Sequence, residues 1–84
     1  MDHKAQAFAE EAIRSVGRLD AGSARTSIAQ AFEVDHDLGA LADAVYLACA
    51  EIDADGGVST PAWNTLGDAV DTADLYAVVE EARS

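Results

Sequence analysis

Asp35-His36-Asp37-Leu38-Gly39-Ala40-Leu41-Ala42-Asp43-Ala44-Val45-Tyr46-Leu47-Ala48-Cys49-Ala50-Glu51-Ile52-Asp53 carries the clearest helical signal in the chain. Leu38, Leu41, Val45, Ala48 and Ile52 recur at alternating three- and four-residue steps, flanked by Ala42 and Cys49. That spacing lines one face of a helix with apolar side chains. Ala44 and Leu47 add a second apolar edge, so this helix is expected to be a spine that touches several others. Asp35 and Asp37 fall where a helix dipole favours negative charge, and the helix is expected to run to about residue 53.

Outward from this stretch the pattern stays helical. Over residues 4–19, Ala5, Phe8, Ala12, Val16 and Leu19 form one face, widened by Ala9 and Ile13, and Gly17 weakens the last turn. Ser23 is a candidate N-cap for a second helix with Ala24, Ile28, Ala31 and Phe32 inward, ending near Val34. Thr60 is expected to cap a fourth helix with Pro61 in its first position, where the missing N–H costs nothing. Trp63, Leu66 and Val70 form its face. The stripe then changes side near Asp71-Thr72, which predicts a break and a fifth helix with Leu75, Val78, Val79 and Ala82 inward. The expected architecture is all-α, a compact four- or five-helix bundle forming one domain over residues 1–84.

Composition sets limits on function. Half of the 84 residues are apolar, only five are aromatic, and Pro occurs once. A chain of this size buries roughly 60–65% of its unfolded surface, so the core is expected to be thin. The single cysteine excludes an intramolecular disulfide and a multi-cysteine zinc site, and Cys49 on the apolar stripe reads as a buried structural thiol. No segment approaches a membrane span and no secretory signal is evident, so a cytoplasmic protein is expected. Ser, Cys and His have no setting that suggests a catalytic triad, and no glycine-rich phosphate loop occurs, so an enzyme is not expected.

The net charge is −11, and it is placed unevenly. Four acids before residue 26 are balanced by Lys4, Arg14, Arg18 and Arg25, whereas the remaining twelve acids face only Arg83. Such a surface repels phosphate, which excludes nucleic acid and anionic membrane as partners. A faint helix-turn-helix pattern over residues 27–41 fails for that reason, because its exposed start is Asp35-His36-Asp37. Glu33, Asp35, Asp37, Asp43, Asp68, Asp71 and Asp74 are therefore candidate contacts for a basic protein partner. A narrower alternative is an acidic inhibitor or antitoxin that fills a basic nucleic-acid-binding site on its target. Salt adaptation or solubility alone would also produce this charge, and Ala-rich faces on the third and fifth helices would permit, without requiring, a dimer.

Glu51-Ile52-Asp53-Ala54-Asp55-Gly56-Gly57-Val58-Ser59-Thr60-Pro61-Ala62-Trp63 resembles the EF-hand calcium loop. Glu51, Asp53 and Asp55 fall at loop positions one, three and five, Gly56 at the sixth, Val58 at the eighth and Ser59 at the ninth. The resemblance implies oxygen ligands from Glu51, Asp53, Asp55, the Gly57 carbonyl and Ser59. It departs from the family at Ala62, where a bidentate Glu belongs, so about five oxygens face an ion that takes 6–8. A weak calcium response is thus the alternative to a connector in which Gly56 or Gly57 stops one helix and Thr60-Pro61 starts the next. No other cofactor is expected. Thr65-Leu66-Gly67-Asp68-Ala69-Val70-Asp71 and Asp37-Leu38-Gly39 resemble parts of acyl carrier proteins, yet Gly39-Ala40-Leu41-Ala42 lacks the serine that carries phosphopantetheine. Met1-Asp2-His3 matches an amino-terminal copper or nickel chelator, and one His in third place is easily accidental.

Overall fold

The computed structural model describes residues 2–84; Met1, and with it the chelator reading, lies outside the described residues. Five α-helices follow one another: α1 (His3–Gly17), α2 (Ala21–Val34), α3 (Gly39–Asp55), α4 (Thr60–Ala69) and α5 (Ala73–Arg83). One short 3-10 turn (His36–Leu38) lies between α2 and α3, and no strand occurs among the described residues. The fold is an all-α bundle. Among the described residues, no helix is long and apolar enough to cross a membrane.

Buried residues from all five helices join in one core. Ala5, Ala9, Ala12, Ile13 and Val16 of α1 are completely buried, as are Ala24, Ile28 and Ala31 of α2. These small side chains let the two helix axes approach closely, and α1–α2 is the most extensive helix pair. α1 also packs on α3 and along α5, while α3 packs on α2 and α4. α1 and α3 thus each touch three other helices, as the apolar pattern of α3 led one to expect for that helix. Of the second apolar edge expected on α3, Ala44 is buried whereas Leu47 is 48% exposed.

Caps fix the helix starts. Asp2 accepts the Lys4 N–H at 2.8 Å, and Thr72 accepts the Leu75 N–H at 3.2 Å after the expected break. Two caps lie away from their expected positions. Asp20, not Ser23, caps α2, accepting the Ser23 N–H at 3.1 Å, so the helix starts at Ala21 and takes Gly22 into its first turn. Ser59, not Thr60, caps α4, accepting the Ala62 N–H at 3.2 Å, and Thr60 and Pro61 become first-turn residues. Asp35 caps the 3-10 turn through the Asp37 N–H at 3.0 Å, so α3 begins four residues later than the acids suggested.

The α1–α2 corner has an unusual residue. The N–H of Leu19 donates to the Val16 carbonyl at 3.0 Å and that of Asp20 to the Ser15 carbonyl at 2.9 Å. This is the pairing of a Schellman helix end. The residue that turns left-handed there is Leu19, with φ 60°, where glycine is usual. Leu19 therefore leaves the inward face expected for it and is 48% exposed.

Candidate functional site

The segment resembling a calcium loop is mostly helix. α3 continues through Asp55 and stops at Gly56, whose φ of 75° supplies the left-handed cap. In a helix, side chains two apart point about 200° away from each other, so Asp53 faces away from Glu51 and Asp55. Each acid has separate surroundings. Both Glu51 oxygens are bound to Ser59: Oε1 accepts its N–H at 2.7 Å and Oε2 its hydroxyl at 3.1 Å. Asp53 forms an ion pair with Arg25 of α2. Asp55, Gly56 and Gly57 lie at the turn itself, and no group of three or more His, Cys, Asp or Glu among the described residues is arranged to hold a metal. Glu51, Asp53, Asp55, Gly57 and Ser59 are thus not gathered into one shell. Glu51 instead ties the end of α3 to the cap of α4, because the same Ser59 hydroxyl that donates to Glu51 accepts from Ala62.

The acidic candidates separate into two groups. Glu33, Asp35, Asp37 and Asp43 surround the α2–α3 corner, and Asp68, Asp71 and Asp74 surround the α4–α5 corner. α2 makes no contact with α4 or α5 among the described residues, so the two corners are built by different helix pairs. Asp35 is occupied by its cap. The other six are exposed, and their carboxylates have no hydrogen-bond or ion-pair partner among the described residues. Each of the four arginines, by contrast, is paired: Arg14 with Glu10, Arg18 with Glu11, Arg25 with Asp53 and Arg83 with Glu80.

Beside the first group lies an open apolar groove of about 340 Å³ lined by Ala29, Phe32, Gly39, Ala42, Asp43 and Tyr46. On α3 the lining residues fall at i, i+3, i+4 and i+7, one stripe of the helix. Small residues form the floor, while Phe32 and Tyr46, 38% and 42% exposed, form the walls. The Phe32 ring also packs against His36, with ring centroids 5.1 Å apart. Sequence reasoning missed this feature because it assigned Phe32 to the core. The signal that marks it is the small-small-aromatic spacing Gly39, Ala42, Tyr46 opposite Ala29 and Phe32.

Cys49 is completely buried, and its Sγ–H donates to the Ala21 carbonyl at 3.6 Å. Burial pushes the thiol above its ordinary pKa, which disfavours the reactive thiolate. No protein-family model, curated protein or solved structure matches the chain.

Proposed function

We propose that this chain is a small acidic helical interaction module that binds a basic protein partner through its acidic surface, and that it is not a catalyst. The observation that carries the reading is the contrast in pairing: every arginine is engaged, while Glu33, Asp37, Asp43, Asp68, Asp71 and Asp74 are exposed and unpartnered among the described residues. Unpaired surface carboxylates on a chain of net charge −11 produce a field that draws in cationic surfaces and repels anionic ones.

The test is capture on the immobilised chain, followed by identification of what is retained. A basic protein whose retention weakens steeply with salt, and weakens again when acids at either corner are changed to amides, supports the proposal. Retention insensitive to both overturns it. If the captured protein also binds nucleic acid, competition between this chain and that nucleic acid distinguishes an inhibitor from a neutral adaptor.

A further inference from the structure

We infer that the α2–α3 groove is the seat of an amphipathic, basic helix from the partner, with its apolar side between Phe32 and Tyr46. This rests on the interaction reading above and narrows it to one of the two acidic corners. The groove is apolar along its length and has a carboxylate on its edge, since Asp43 is itself a lining residue. Glu33 follows Phe32 on α2, and Asp37 lies on the 3-10 turn beside His36, so further acids stand at the same end.

Among the described residues, no cation lines the groove. Arg25 lies one turn beyond Ala29 on α2, and Asp53 lies two turns beyond Tyr46 on α3. Their ion pair joins the helices past that end, which leaves the nearest positive charge already engaged.

Two parallel ridges with small residues between them suit a third helix, whose side chains at i, i+3 and i+4 fill such a trough. Exposed aromatic walls supply the rigid contact area that dominates interface energetics. Charge selects the occupant. A second copy of this chain would bring another −11 and its own acidic groove to the same place. A helix carrying Lys or Arg beside its apolar stripe places cations against Asp43, Glu33 and Asp37 while its leucine-like side chains cover Phe32 and Tyr46.

The experiment uses the isotopically labelled chain and three synthetic peptides: an amphipathic leucine–lysine helix, its leucine–glutamate counterpart, and a scrambled leucine–lysine peptide with no apolar face. The expected result is saturable amide shifts clustered over residues 29–46 with the first peptide alone. Phe32→Ala should weaken that binding about tenfold or more, as removal of an interface anchor does, and Phe32→Leu should retain most of it. Asp43→Asn should weaken it several-fold at low salt, and Asp71→Asn should leave it unchanged.

Equal binding of the scrambled peptide, or shifts spread over both acidic corners and indifferent to Phe32→Ala, overturns the groove and leaves the acidic-surface reading standing. Equal binding of the leucine–glutamate peptide overturns the charge selection. Binding of none of the three overturns the groove, and the capture experiment then decides the broader reading by itself.

Discussion

Gly17 of α1 passes so near Ala82 of α5 that a β-carbon on Gly17 would lie 2.9 Å from the Ala82 carbonyl oxygen and 3.0 Å from its β-carbon. The first of those neighbours is backbone, which cannot turn aside. Glycine here is what lets the last helix lie along the first. Gly17→Ala gains about 1 kcal/mol of helix propensity but forces the two helices apart, an overpacking that costs about 1–3 kcal/mol. The expected outcome is a net loss of about 1 kcal/mol and a melting temperature several degrees lower. Gly22→Ala is the control: a β-carbon there meets nothing closer than the Asp20 carboxylate, 3.8 Å away, so that variant should be neutral or stabilised. Thermal melts followed by circular dichroism separate the two.

Leu19 offers the opposite case. A left-handed conformation costs an ordinary residue about 1–2 kcal/mol, and glycine in its place adds about 0.4–1 kcal/mol of unfolded-state entropy to be lost. Leu19 is half exposed, so losing its side chain also gives up about half of a leucine's burial, about 1 kcal/mol. These contributions nearly cancel, so Leu19→Gly should stay within about 1 kcal/mol of the parent by urea titration. Leu19→Val should be destabilised, because branching at the β-carbon worsens the same conformation.

Glu51 is expected to behave as a clamp. Removing its carboxylate in Glu51→Ala frees the Ser59 N–H and hydroxyl, and with them part of the cap of α4. A loss of about 1–2 kcal/mol is expected, the range for one or two hydrogen bonds to a charged group at a solvated site. Protection of the Ala62 amide against hydrogen exchange should fall in step. With Glu51 held by Ser59 and Asp53 by Arg25, amides of residues 51–60 are expected to stay in place when millimolar calcium is added. Shifts at Glu51, Asp55 and Gly57 that saturate with calcium would show that the loop opens to take the ion.

Acid should destabilise the fold through two identifiable groups. The Arg18 guanidinium hydrogen-bonded to Glu11 holds that carboxyl below its ordinary value of 4.5. The Ser23 N–H bonded to Asp20 holds that one below 3.8. A carboxyl with a lower pKa in the folded state contributes stability that is present above the unfolded value and lost as pH falls through the folded one. The urea midpoint should drop as pH is lowered from just above 4.5 to below 3.8, and this part of the drop should shrink in the Glu11→Gln, Asp20→Asn double variant.

These residues also show what a sequence can convey. The α3 stripe, a stop at Gly56 or Gly57 and the restart at Thr72 were legible because apolar spacing and glycine report directly on helix faces and ends, although α3 runs two residues past the expected Asp53. The caps at Asp20 and Ser59 were not. Each competes with another capping side chain one to three positions away, and backbone direction decides between them. Leu19 gives no warning of its conformation, since leucine is a helix former and its turn is imposed by the hand-over to Asp20. The calcium resemblance places Glu51, Asp53 and Asp55 on a loop that wraps an ion, whereas all three belong to α3. In a helix the same spacing turns Asp53 away from Glu51 and Asp55. The groove escaped notice because burial of Phe32 depends on which helix covers it, and none does.

The complete pairing of the arginines has a kinetic consequence. A charge held in a close pair contributes little at long range, so the field beyond the surface is set by the carboxylates that have no partner. An oppositely charged protein feels that field across roughly 10 Å at moderate ionic strength, before any side chains touch. Encounter should then be fast at low salt and slow sharply as salt is added, while the lifetime of the complex, set by whatever apolar surface is covered, changes far less.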